Sequence, residues 1–159
     1  MNPSIILEKE KDTIKLGRKI AELLPKKYCG WMILLEGELG VGKTTLARAI
    51  LGEFGHKGAV PSPTYTLVEP YDFPDGIIYH IDLYRVISLN EIEFLGWSDL
   101  YSGLMIIEWA EKFPALVNEA DILIKLNYYS HGRACQLISI SKRGSEILKS
   151  FKHDFFDLK

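Results

Sequence analysis

The chain is short of cysteine, of net charge, of arginine and of long apolar runs, and each shortage removes a class of protein. Its 159 residues include two cysteines, Cys29 and Cys135, too far apart for a metal-ligand or redox spacing and too few for a disulfide framework. Nineteen Lys and Arg against 21 Asp and Glu give a formal net charge of −2, so no strong field draws the molecule to a polyanion and a general nucleic-acid binder is excluded. The longest apolar runs are strand-sized, such as residues 31–35, far below the roughly 20 residues of a membrane span. The first ten residues have no basic segment and an apolar run of only Ile5, Ile6 and Leu7. That does not make a secretory signal, so a cytoplasmic protein is expected. Neither a repeat nor a low-complexity tract occurs. What remains is one domain over residues 1–159, with 47% apolar residues to build a core.

Along the chain, short elements alternate. Residues 13–24 carry Ile14, Leu16, Ile20, Ala21, Leu23 and Leu24 at helical spacing, with Asp12 as N-cap and Pro25 as stop. Residues 31–35 are continuously apolar, the pattern of a strand covered on both faces in a parallel sheet. A glycine-rich turn follows, then a helix over 43–51. Residues 60–74 hold Pro61, Pro63, Pro70 and Pro74 and read as an extended loop or edge strand. Residues 77–81 and 104–107 are further buried strands, each followed by an acid, Asp82 and Glu108. Between them, 90–95 is a short helix capped by Ser88. After Pro114, residues 122–126 and 134–140 read as antiparallel edge strands, and from Lys142 a peripheral tail carries five basic residues against three acidic ones. The alternation argues an α/β fold with a sheet that is parallel at its centre.

The segment Gly37-Glu38-Leu39-Gly40-Val41-Gly42-Lys43-Thr44 fits G-x-x-x-x-G-K-[ST] and lies between a predicted strand and a predicted helix. Its glycines let backbone N–H groups turn inward around phosphate oxygens, and the helix adds its positive N-terminus. Lys43 supplies a charge to the β and γ phosphates, and the Thr44 hydroxyl is suited to Mg2+. A turn that binds nothing is the plain alternative, and the flanking strand and helix weigh against it. The dinucleotide spacing G-x-G-x-x-G is absent, which argues against NAD.

A phosphate loop also needs a carboxylate at a neighbouring strand end, because Mg2+ keeps waters that an acid must hold. Glu108 follows four apolar residues and is assigned to the metal, directly or through water; Asp82 is then free to position or activate the attacking water. These roles can be exchanged, and either acid can simply be a solvated strand end. His80 falls on the core side of its strand and reads as structural rather than catalytic. Ser62-Pro63-Thr64-Tyr65-Thr66 lies about 20 residues after Lys43, where phosphate-loop hydrolases carry a switch that senses the γ-phosphate through a hydroxyl. A plain proline-rich loop is an equal alternative.

Gly37 to Thr45, Ser62-Pro63-Thr64-Tyr65-Thr66-Leu67-Val68, His80-Ile81-Asp82-Leu83-Tyr84-Arg85 and Ile107-Glu108-Trp109, taken together, closely resemble the bacterial TsaE (YjeE) family. Leu16-Gly17 and the stretch from Glu91 to Gly96 extend the resemblance, which runs from about Glu10 to about Ser141. It implies a P-loop fold whose central parallel sheet is flanked by antiparallel strands and helices. It also implies a small ATPase, using ATP and Mg2+, required for the threonylcarbamoylation of adenosine 37 in tRNAs that read codons starting with A. Such proteins work with the TsaD transferase subunit and its paralogue TsaB, and meet tRNA only through that complex. Carried over by residue, Glu38, Leu39, Gly40, Val41, Gly42, Lys43, Thr44 and Thr45 would cradle the nucleotide. Thr44 and Glu108 would hold the metal, Asp82 and Lys43 would serve hydrolysis, Thr64 would belong to the switch, and Trp109 would lie near the site. Glu10 and Arg133 align with positions implied to face the base or the phosphates.

Three rivals remain open on the residues themselves. A small metabolite or nucleoside kinase usually brings several arginines on a lid, whereas Arg18, Arg48, Arg85, Arg133 and Arg143 are dispersed. A GTPase is echoed by Asn118-Glu119-Ala120-Asp121, but the guanine-reading lysine is missing. A non-enzymatic module, in which nucleotide only orders a loop for partner binding, differs from the ATPase in whether Asp82 supports turnover.

Overall fold

The computed structural model of the chain describes residues 4–156, with side chains described through Phe151. The start of the N-terminal run, Met1 to Pro3, and the tail charges at Asp157 and Lys159 lie outside the described residues. Seven strands form one sheet: β1 (Ser4–Leu7), β2 (Met32–Glu36), β3 (Val68–Phe73), β4 (Gly76–Asp82), β5 (Leu104–Glu108), β6 (Ile122–Tyr129) and β7 (Gly132–Ser139). Their order is β1-β7-β6-β2-β5-β4-β3. The four inner strands β6, β2, β5 and β4 run parallel, and antiparallel pairs β1–β7, β7–β6 and β3–β4 complete the two sides. This is the expected architecture, a parallel centre flanked by antiparallel strands.

The sheet is covered on both faces. On one lie α1 (Glu10–Leu23), α2 (Lys43–Glu53) and α4 (Lys142–Phe156). There Leu16, Ile20, Leu46 and Ile50 pack on Ile33, Leu35, Ile106 and Ile124. On the other lie α3 (Leu89–Phe94) and short 3-10 turns such as Trp97–Ser102 and Pro114–Glu119, which bury Met32, Leu34, Met105 and Ile107. Helices α1 and α2 meet at Gly17, where an added Cβ would stand 2.6 Å from Ala49 Cβ and 2.9 Å from the Leu46 carbonyl oxygen. No larger side chain fits that crossing without moving a helix. Among the described residues no helix is long and apolar enough to cross a membrane.

Three expectations need correction. Asp12 is not the N-cap of α1: the helix begins at Glu10, and the Asp12 carboxylate accepts the Lys9 backbone N–H at 2.9 Å, reaching back from the third helical position as in a capping box. The strand after Pro114 is not an antiparallel edge. Asp121 exchanges hydrogen bonds with Met32, its N–H donating to the Met32 carbonyl and its carboxylate accepting the Met32 N–H, both at 2.9 Å, and this starts β6 parallel beside β2. The edge on that side is β1, too short a run to have read as a strand. The stretch from Lys142 is not peripheral either: it forms α4, whose Leu148 and Phe151 are buried in the core. Pro70 lies on β3, an edge strand, where a missing N–H is tolerated.

Candidate functional site

Strand β2 ends at Glu36 and α2 begins at Lys43, and the six residues between them make the tight loop at the C-terminal end of the parallel strands, where open α/β sheets bind ligands. Gly37 has a φ of +150°, and a Cβ there would come within 2.5 Å of the Leu126 carbonyl oxygen, so only glycine lets the loop leave the sheet along this path. From the far side, Tyr128 donates its hydroxyl to the Leu39 carbonyl at 2.7 Å. Arg133 donates Nε to the Val41 carbonyl at 2.9 Å while its guanidinium lies 4.4 Å over the Tyr128 ring. Those two residues are cross-strand partners on β6 and β7, so the hairpin braces the loop.

Lys43 is buried and folded back on its own loop. Its ammonium donates to the Gly37 carbonyl and, at 3.0 Å, to the Glu38 carbonyl, and it sits 4.0 Å over the Trp109 ring. Burial lowers its pKa from the ordinary lysine value, and Glu108, Glu111 and Asp82 pull it back up. Beside it, Thr44 donates its hydroxyl to both oxygens of Glu108 at 3.0 Å. Glu108 and Asp82 are paired in register at the ends of β5 and β4, yet they face different groups. The Asp82 Oδ2 accepts from Thr64 at 3.1 Å and from Ser62 at 3.3 Å, and its Oδ1 accepts the Tyr84 N–H at 2.8 Å.

The predicted residues therefore sort into two adjoining clefts that share Gly40, Gly42 and Thr45. One, of about 170 Å³, gathers Lys43, Thr44, Thr64, Asp82, Glu108 and Trp109. The other, of about 280 Å³, is lined by Val41, by Glu10 at the head of α1, and by Arg133. Leu39 is exposed at the tip of the loop, and Glu38 offers its carbonyl to Lys43. Of the two threonines in the Thr64-Tyr65-Thr66 segment, Thr64 is the one that reaches Asp82. Two non-glycine residues beside the cleft hold left-handed backbone, Leu67 at φ 68° and Trp109 at φ 60°. Such strain is stored where surrounding structure enforces it, and functional sites are the usual place.

Sequence reasoning missed several participants. Tyr128 carries no local signal, because its role depends on the β6–β7 register. Glu111 lies just past Trp109; burial raises its carboxyl above the usual range, and Glu36 adds to this while Lys43 and the Gly37 N–H act the other way. His80, read as structural, touches Glu108 directly: its Nε2 donates to Glu108 Oε2 at 2.5 Å.

A glycine-spaced loop between a parallel strand and a helix, with two acids at the ends of adjacent strands, defines a P-loop nucleotide-binding fold. The crystal structure of Bacillus subtilis YdiB has the same fold, with a TM-score of 0.74 over 97% of each chain at 20% identity. The model of the family described as threonylcarbamoyl adenosine biosynthesis protein TsaE matches residues 7–135. A relative from Haemophilus influenzae named tRNA threonylcarbamoyladenosine biosynthesis protein TsaE is 42% identical over 144 residues, covering 88% of this chain and 91% of its own. One of the same name from Aquifex aeolicus is 43% identical over 110 residues, covering 68% and 77%. The chain belongs to the TsaE family of tRNA threonylcarbamoyladenosine biosynthesis.

Proposed function

We propose that this protein is a Mg2+-dependent ATPase that serves threonylcarbamoylation of adenosine 37 in tRNAs reading codons that start with A, hydrolysing ATP to keep a TsaB–TsaD transferase complex turning over. The observation that carries this reading is the convergence in one cleft of Lys43 and Thr44, at the head of α2, with Glu108 and Asp82 from adjacent strand ends. The backbone amides from Glu38 to Thr45 receive the phosphates, and Lys43 exchanges two neutral carbonyls for phosphate oxygens, the stronger acceptors for an ammonium. Glu10 and Arg133 line the adjoining cleft, which takes the nucleoside end.

The Thr44 hydroxyl and the Glu108 carboxylate are hard oxygen donors 3.0 Å apart. They suit Mg2+, which takes one or two protein oxygens and completes its shell with phosphate and water. When bound, the ion neutralises charge that develops on the phosphates. Asp82 orients the attacking water, and Thr64 senses the γ-phosphate once it leaves Asp82. No arginine among the described residues lines the phosphate cleft, and a supplied arginine is worth factors of about 10³ or more in related hydrolases. Turnover is therefore slow until the partner complex docks. The site of action is cytoplasmic, and the −2 charge leaves tRNA to the partners.

Phosphate release should be slow for the protein alone and rise on adding the purified TsaB–TsaD pair; equal rates overturn partner stimulation. Lys43→Ala should lose about 10³-fold in turnover and fail to support repeated rounds of modification. Sustained rounds with that variant would remove ATP turnover from the protein's contribution. One observation favours a nucleotide-gated binding module: both Asp82 oxygens are already engaged. Repeated rounds of tRNA modification that survive in an Asp82→Ala variant that binds ATP but no longer hydrolyses it favour that module.

A further inference from the structure

Glu108 meets Thr44 on its cleft side, and on the side away from the cleft it meets one other group. We propose that His80 is a positioning residue for Glu108: its Nε2 holds Glu108 Oε2 from behind so that Oε1 stays turned toward Thr44 and the metal position. The inference rests on the reading of Glu108 as a metal-holding group.

On the sheet face that carries His80, Ile78 precedes it by two residues on β4 and Ile106 is its register partner on β5, both with no exposed surface, while its register partner on the other flank, on β3, is the half-buried Glu69. An aliphatic residue at position 80 would pack against Ile78 and Ile106, so those two neighbours do not require an imidazole. The ring is itself fully buried, and its Nδ1 has no hydrogen-bond partner among the described residues. A histidine retained to satisfy polar neighbours would have both nitrogens occupied. Here one nitrogen is left bare in the core, and the other is aimed at one carboxylate oxygen at 2.5 Å.

The two contacts on Glu108 also differ in kind. The Thr44 hydroxyl has one hydrogen to share between two oxygens at equal distance, and it is the group that must turn away when a ligand arrives. The His80 N–H serves Oε2 alone and comes from within β4, a strand paired on both sides. It keeps the carboxylate oriented after Thr44 has left, which is what partners behind a metal-holding group do.

The test uses the full chain saturated with a non-hydrolysable ATP analogue and titrated with Mn2+, with free ion read by electron paramagnetic resonance and folding checked by thermal melts. His80→Leu should weaken Mn2+ by about tenfold or more while nucleotide affinity in EDTA stays unchanged. His80→Gln, whose amide N–H can stand near the Nε2 position, should restore most of that loss. A folded His80→Leu with wild-type Mn2+ affinity overturns the inference, as does a folded His80→Gln as weak as the leucine variant, since packing would then explain both. If His80→Leu does not fold, His80→Gln decides alone: near-wild-type affinity supports positioning, and a tenfold loss overturns it. Glu108→Gln separates the two layers. Undiminished Mn2+ binding in that variant overturns the metal reading and this inference with it, whereas a loss there beside wild-type behaviour of both His80 variants overturns only the role of His80.

Discussion

Two buried acid sites lie at opposite ends of the parallel strands. Where β4 and β5 finish, Asp82 and Glu108 are 1% and 2% exposed; just ahead of β6, at the other end, Asp121 is 3% exposed. The three are equally dry, but their partners differ. Asp121 accepts Ser141 Oγ and Arg143 Nε on one oxygen, both at 2.7 Å, and Arg143 Nη2 and the Met32 N–H on the other, both at 2.9 Å. That forked guanidinium ties the start of α4 to the starts of β2 and β6, and the Trp31 ring lies 4.5 Å beneath it. Asp82 is held instead by two hydroxyls and an amide, and Glu108 by a hydroxyl and His80. A bidentate arginine is a durable partner; a hydroxyl gives way to a cation or a water that needs the same oxygen. Burial therefore does not distinguish Asp121 from the two acids proposed to act in the cleft, whereas the replaceability of their partners does.

The sharpest way to break this contrast is to neutralise each end in turn. Asp82→Asn should cut partner-supported ATP turnover by about 10²-fold or more while leaving nucleotide affinity and the melting temperature close to wild type. A variant that keeps its turnover, or one that unfolds, would make Asp82 a structural acid like Asp121. At the far end the pattern should invert. Arg143→Met strands the Asp121 charge in the core; because Arg143 is itself 46% exposed, the cost falls below that of a fully buried pair, at about 2 kcal/mol. Urea midpoints measure this, and turnover at a temperature where the variant is folded should be unchanged. A shift under about 0.5 kcal/mol would mean that the fork is no more than a surface contact.

The same contrast explains what could be read in advance. The phosphate loop was legible because its glycines, lysine and threonine are adjacent in sequence, and the two acids because each closes an apolar run. Which acid faces Thr44 was not, since that depends on the β4–β5 register and on where the 62–66 loop lies. His80 was placed in the core correctly, but its target was invisible without the neighbouring strand. The direction of β6 is set by the non-local exchange between Asp121 and Met32, while the apolar run that follows reads the same in either direction. Glu10 and Arg133 were named through family resemblance alone. It takes the entry of β1 beside β7 to bring the head of α1 and the hairpin to one cleft. In the last stretch the charged residues outnumber the apolar ones, and Leu148 and Phe151, three residues apart and buried, mark the inner face of α4.

Acid sharpens the comparison further, though the effect is the smallest of these. Burial alone would raise the Asp121 carboxyl, but hydrogen bonds from Arg143, Ser141 and the Met32 N–H and the arginine's charge outweigh it and hold the group below its ordinary value. A folded-state pKa below the unfolded one gives stabilisation that is fully present above the unfolded value, about 3.9 for aspartate, and is lost as pH falls through the folded value. Arg143→Met removes the main cause of that depression. The gap in unfolding free energy between wild type and Arg143→Met should therefore stay constant from about pH 7 to about pH 5 and narrow below about pH 4. Urea titrations across that range read it directly. A gap that persists unchanged to about pH 3 would mean that Arg143 stabilises by packing on Trp31 rather than by pairing with a carboxylate. The two ends of the sheet would then differ in geometry alone, with no difference in how tightly each holds its charge.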